Sequence, residues 1–172
     1  MEIRSVEAIV RALNDARVKY LVVGGLAVVA HGYERLTKDV DLVIGLKRQN
    51  IINGLRALMK IGYRTSIPVT PEDFAVARNR ENWRKNKNMI VLRLWSEVHR
   101  RTPVDVFVYE PFDFKVEYAA AKREEVMPAV KAPVIALKTL LAMKRAAGRP
   151  QDLADIADLE RINELKKEFP ND

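Results

Sequence analysis

Three aspartates stand where aspartate is out of place. Asp39 and Asp41 open the segment Asp39-Val40-Asp41-Leu42-Val43-Ile44-Gly45, whose apolar content predicts a strand over 39–45. Aspartate is depleted in strands, and at i and i+2 both side chains leave the same face, about 7 Å apart. Carboxylates so placed repel unless a cation lies between them. Hard oxygen ligands on a rigid element suit Mg²⁺ or Mn²⁺, with substrate phosphates completing the octahedron. The plainer alternative is that Asp39 merely starts the strand and Asp41 pairs with a nearby Lys or Arg. Asp105 stands in Val104-Asp105-Val106-Phe107-Val108, where alternation sends the valines one way and Asp105 the other, with Phe107. A lone carboxylate among such residues is costly and needs a partner. If the strands at 39–45 and 104–109 are neighbours, Asp105 completes a three-carboxylate cluster that can bind metal or serve as a general base. If they are not, an ion pair with Arg93 accounts for it.

Gly24-Gly25 falls at a strand-to-helix turn, where a backbone can approach a phosphate and offer its N–H groups; most such pairs are simply turns. Lys144 is also anomalous. On a helix at 100° per residue it lies near Leu137, Leu140 and Leu141, on the apolar stripe, whereas Lys138 and Arg145 fall on the wet face. It either snorkels to solvent or reaches an acidic cluster or a substrate phosphate. Asp152, just after Gly148-Arg149-Pro150, favours the dipole of a new helix and needs no further role on local grounds. Residues 78–101 hold eight basic side chains (Arg78, Arg80, Arg84, Lys85, Lys87, Arg93, Arg100, Arg101) against Glu81 and Glu97, together with both tryptophans, Trp83 and Trp95. Basic residues mixed with aromatics suit phosphate contacts and base stacking, so this window is the candidate surface for RNA. The alternative is a solvated basic surface with Trp95 in the core.

The elements that must position these residues follow from pattern. Val6, Ile9, Val10 and Leu13 mark a first helix ending before Lys19, and a strand follows at Tyr20–Val23. Leu26–His31 reads as a short helix stopped by Gly32, and Ile51, Ile52, Leu55, Leu58 and Met59 mark another, closed by Gly62. Thr70-Pro71-Glu72-Asp73 combines an N-cap, a first-turn proline and first-turn acids, which starts a helix. Strands are expected at Met89–Trp95 and Val104–Tyr109, then an irregular stretch, a helix opened by Pro133 and running to Ala147, and a last helix from about Asp152 to Glu168. This order predicts an α/β (α+β) fold: a small mixed sheet with packed helices and a helical C-terminal section. One domain is expected over 1–172, its core about 1–120 and its helical section about 133–170.

Composition bounds the chemistry. The 172 residues carry a formal net charge of +7 with 48% hydrophobic and 31% charged residues, the profile of a folded globular protein. No apolar run reaches the roughly 20 residues that span a bilayer, and the N-terminal segment is amphipathic rather than a leader, so a cytoplasmic location without membrane association is expected. With no cysteine there is no thiol nucleophile, disulfide, Fe–S cluster or zinc-ribbon site. His31 and His99 are too few and too scattered for a histidine metal site.

Taken together, Val23-Gly24-Gly25, the stretch to Lys38, and Asp39-Val40-Asp41-Leu42 resemble the signature of the nucleotidyltransferase superfamily that shares the DNA polymerase β-like fold. Asp105 in Pro103-Val104-Asp105-Val106 matches its third carboxylate. Gly32-Tyr33-Glu34-Arg35-Leu36-Thr37-Lys38-Asp39 and the stretch from Leu140 to Ile156 resemble, more narrowly, small prokaryotic proteins of the AbiEii and MenT toxin type. The resemblance implies that Gly24 and Gly25 contact the triphosphate and that Asp39 and Asp41 hold the metal ions. It implies that Asp105 activates the acceptor hydroxyl, that Lys144 binds triphosphate and that Asp152 supports the site. Many superfamily members have Ser after the first glycine. Here Gly25 and Leu26 follow, and Arg35, Thr37 and Lys38 are placed to compensate from the loop before the metal strand.

The expected activity is metal-dependent transfer of a nucleoside monophosphate from an NTP to a hydroxyl. The acceptor is RNA, such as a tRNA end, or a protein, and the toxin-type resemblance adds a partner antitoxin. The rivals are a non-catalytic RNA- or partner-binding module of the same fold and a small-molecule nucleotidyltransferase.

Overall fold

The computed structural model describes residues 1–169; the last three residues of the expected domain, and with them the end of its helical section at 170, lie outside the described residues. Among the described residues the chain forms α1 (Ile3–Asp15), β1 (Tyr20–Val23), α2 (Gly24–Ala30), β2 (Val40–Ile44), α3 (Arg48–Lys60), β3 (Tyr63–Thr65), α4 (Pro71–Ala75) and α5 (Ala77–Lys87). It continues with β4 (Val91–Ser96), β5 (Val104–Phe107), α6 (Phe114–Ala120), β6 (Lys122–Met127), β7 (Val130–Val134), α7 (Leu137–Ala147) and α8 (Pro150–Glu168). The seven strands make one mixed sheet in the order β3-β4-β5-β2-β1-β7-β6. The expected α/β class is therefore the one observed.

Local chemistry accounts for most of these elements. The apolar stripe of α1 buries Val6, Ile9, Val10 and Leu13. At α4 the Thr70 hydroxyl accepts from the Asp73 N–H at 3.0 Å while the Asp73 carboxylate accepts from the Thr70 N–H at 3.1 Å, a reciprocal cap with Pro71 in the first turn. β2 lies between β1, to which it is antiparallel, and β5, to which it is parallel, and all but one of its side chains are buried. α3 packs on the Ile44 face of β2: a Cβ on Gly54 would lie 3.1 Å from Ile44 Cδ1. Ile44 is three residues from Asp41, so Asp41 points to the other face.

Two expectations need correction. Pro133 does not open a helix; it lies inside β7, and α7 begins at Leu137. The Ile135 N–H donates to the Val22 carbonyl, so by alternation Pro133's missing N–H faces the same side, where β7 meets β1 only around Val134. The stretch before it is not irregular either. It holds α6 and the β6–β7 hairpin, which carries the sheet past β1. The strand β3 went unread in the sequence because its three residues are too few for a period to show. No described helix is long and apolar enough to cross a membrane.

Candidate active site

Sheet register brings two of the three aspartates together. Asp41 on β2 is opposite Asp105 on the parallel neighbour β5, and Asp105 is opposite Arg93 on β4. Asp39 precedes the first residue of β2 and, two residues from Asp41, leaves on the same side. The two strands are neighbours, as the cluster alternative requires, and the contact Asp105 makes is the ion pair with Arg93. It sits beside Asp41, and it accepts from Arg93 Nε at 2.8 Å and Arg93 Nη2 at 2.7 Å; the same Nη2 donates to Asp39 at 3.0 Å.

The glycine turn is shaped around the second aspartate. Gly24 has φ +62°, and a Cβ there would lie 2.0 Å from Asp41 Oδ2, so only glycine fits both the backbone and the space. The Gly25 backbone N–H favours the charged form of the Asp41 carboxylate. A Cβ on Gly25 would lie 2.3 Å from Thr37 Oγ1, so the turn and the loop before β2 are in contact. Thr37 itself donates to the Asp39 carbonyl at 3.4 Å.

The carboxylates open into a cleft of about 860 Å³ between the sheet and the last two helices. Gly24, Asp41, Asp105, Lys144, Arg149 and Asp152 line its polar end, and Phe107, Tyr109, Phe112 and Met143 are among its apolar walls. The volume suits a drug-sized or nucleotide-sized ligand. Gly25, Arg35, Thr37, Lys38 and Asp39 are not among the residues lining it. Arg35 is instead turned to Asp155, donating from one Nη at 2.6 and 2.8 Å, and Lys38 is exposed.

Lys144 takes the acidic-cluster course. It is 6% exposed and donates to Asp155 at 2.6 Å and to Asp152 at 3.2 Å. Asp155 is wholly buried and accepts from Lys144, Arg35 and Gln151; Asp152 also accepts from the Arg149 side chain at 2.7 Å. Burial alone pushes both carboxyls up, but the hydrogen bonds to these cations outweigh it and hold both below the usual carboxylate value.

Asp41 shows the opposite balance. Burial, then the charges of Asp39 and Asp105, raise its pKa to about 7 against the pull of the Gly25 N–H and Arg149. Three carboxylates with one of them driven toward neutrality form a site short of positive charge, and all the donors are hard oxygens. In donor type the residues therefore fit a divalent cation such as Mg²⁺ or Mn²⁺. Their side chains as they stand do not close into a group of three at metal-holding distance among the described residues; Arg93 spans Asp39 and Asp105 instead.

The basic window is not one free surface. Arg80 is buried and donates to the Phe74 carbonyl, Arg84 lies 3.9 Å from the centre of the Tyr109 ring, Lys85 and Arg100 pair with Glu81 and Glu97, and Arg93 is taken by the aspartates. Trp83 packs against Phe74, whereas Trp95, the residue assigned to the core in the alternative reading, is 43% exposed.

Sequence reasoning gave no role to Asp155 or Arg149. A signal for Asp155 exists: with Asp152, Ile156 and Leu159 it falls on the one buried face of α8. For Arg149 the signal is a cation at a helix N-terminus, where the dipole disfavours it.

No protein-family model matches the chain, and no curated protein matches it. Among solved structures it is similar to the lincosamide antibiotic adenylyltransferase LnuA, in a lincomycin-bound crystal structure. The TM-score is 0.56 at 16% identity, over 94% of this chain and 98% of that one. The two share a fold.

Proposed function

We propose that the chain transfers a nucleoside monophosphate from an NTP to a hydroxyl acceptor, with pyrophosphate leaving. The observation that carries this reading is the in-register pair Asp41–Asp105 beside the Gly24 turn, at the head of a nucleotide-sized cleft. Asp39, Asp41 and Asp105 would hold a divalent cation, whose chemistry is to neutralise the triphosphate and the charge that develops on it. Gly24 and Gly25 let the donor phosphates approach the backbone. Lys144 and Arg149, at the cleft, supply positive charge to the same phosphates, with Asp152 and Asp155 orienting them. Thr37, Arg35 and Lys38 act from the loop that packs on Gly25. Asp105 takes or orients the acceptor proton, which requires Arg93 to give up part of its hold on it.

For the acceptor we favour RNA, such as a tRNA end, or a protein hydroxyl. The resemblance to toxin-type proteins extends the proposal to a toxin held in check by a protein antitoxin. A small-molecule acceptor is the second reading, favoured by the fold shared with an antibiotic adenylyltransferase.

The test is incubation with Mg²⁺ or Mn²⁺, each α-labelled NTP in turn and total tRNA, beside an Asp39→Ala/Asp41→Ala variant. Label entering RNA or the protein itself, and lost in the variant, is the expected result. Retained turnover in the variant removes the mechanism. Absence of label from a folded preparation removes transfer to these two acceptors and sends the search to small molecules. Growth arrest on expression, relieved by the same double substitution, is the expected sign of a toxin.

A further inference from the structure

The face of the sheet that carries the aspartates continues beyond them to the β3 edge. On β4, side chains alternate between buried Leu92, Leu94 and Ser96 and outward Arg93 and Trp95. Arg93 donates to Asp105, which fixes its face; Trp95, two residues on, shares it. Trp95 is opposite Arg64 on β3, so Arg64 also stands on this face. Leu94 is opposite Val104 and Val104 is opposite Val40, which puts Trp95, Pro103 and Asp39 in one row across β4, β5 and β2. At about 4.8 Å per strand, Trp95 lies two strands, about 10 Å, from Asp39.

Trp95 is 43% exposed, and Arg64 is exposed with no acidic partner among the described residues. A tryptophan left uncovered beside a free guanidinium, on the same face as the reacting centre, is not explained by packing. The chain carries a net charge of +7, which favours an anionic partner. We propose that Arg64 and Trp95 form the acceptor platform. The single-stranded 3′ end of a nucleic acid lies along this face, with a base stacked on Trp95, the adjoining phosphate on Arg64 and the terminal hydroxyl toward Asp39 and Asp105. Base stacking on an exposed aromatic with a flanking cation is the usual means of holding single strands without reading their sequence. The inference rests on the reading above that the aspartates are the reacting centre, and it places acceptor binding on the sheet face instead of on the helix α5.

The experiment titrates the full chain with a fluorescein-labelled single-stranded RNA hexamer bearing a free 3′ hydroxyl, following tryptophan emission and hexamer anisotropy. Quenching is expected in the wild type and absent in Trp95→Phe, which keeps the stacking and so the affinity. Trp95→Ala is expected to weaken binding by about 5- to 150-fold, the range base stacking on one aromatic is worth. Arg64→Ala is expected to reduce the slope of log K against log[salt] by about 0.7, one phosphate contact on a single strand. Unchanged affinity in Trp95→Ala, with a wild-type circular dichroism spectrum, overturns the platform. So does nucleotide transfer to RNA whose acceptor KM is unmoved in Trp95→Ala, while the transfer reading stands. Hexamer binding on Trp95 without transfer of any nucleotide to the hexamer overturns the acceptor role of this face and leaves the transfer reading to small-molecule acceptors.

Discussion

Asp41 is held by a conflict. It lies between a glycine that gives it room, a backbone N–H that steadies it and two carboxylates that oppose its charge. With its pKa raised from 3.8 to about 7, the folded protein keeps this proton over a range in which the unfolded chain has lost it. Without divalent cation, the contribution of Asp41 to stability is therefore present in full below about 3.8 and falls as pH rises toward about 7, flattening above. Asp41→Asn removes the charge and should abolish this fall. At pH 8 in chelator it should raise stability by on the order of 1 kcal/mol, measured by urea denaturation. A variant less stable than wild type at pH 8 refutes this account of the site's electrostatics. Asp39 and Asp41 were legible as anomalies because aspartate in a strand needs a reason. Arg93 as the shared partner of Asp39 and Asp105 was legible only in part, as an alternative for Asp105, since spacing does not say which strands are neighbours.

At the scale of elements, α7 and α8 are joined through charge rather than through an apolar seam alone. Lys144 on α7 reaches Asp152 and Asp155 on α8, and Asp155 in turn holds Arg35 of the loop before β2. The chain of contacts fixes the glycine turn's neighbour loop to the C-terminal helices, and every member of it except Arg149 is largely shielded from water. Removing one partner from such a network leaves buried charge uncompensated. Lys144→Met should therefore destabilise by about 3–5 kcal/mol, read by chemical denaturation, whereas Lys144→Met with Asp155→Asn should recover part of the loss. Equal destabilisation in the single and double variants excludes the network as the cause. Helical periodicity exposed Lys144, because a lysine on an apolar stripe breaks the pattern. Its partners sit beyond the Gly148 break, and no periodicity carries across a change of helix direction.

For the whole molecule, the sheet is what unites the chain. β7, from the C-terminal third, lies between β1 and β6, and the last two helices close the cleft that begins at β2 and β5. We take the chain to be one domain. Tryptophan emission, which reports α5 and β4, and far-ultraviolet circular dichroism, which is weighted toward the helices including α8, should then follow one coincident unfolding transition. Separate midpoints indicate that the C-terminal helices form a unit of their own. By itself the sequence determined the α/β class, the first helices and strands, the capped start of α4 and the identity of the unusual residues. Those follow from local rules of period, capping and charge that neighbours in the chain enforce on one another. The tertiary structure decided that Pro133 stands in a strand, that Trp95 stays outside, that Arg93 bridges two aspartates and that five of the eight basic side chains of the window have partners within the chain. Each depends on which strands lie side by side and which faces remain uncovered, and these are set by packing over long sequence separations.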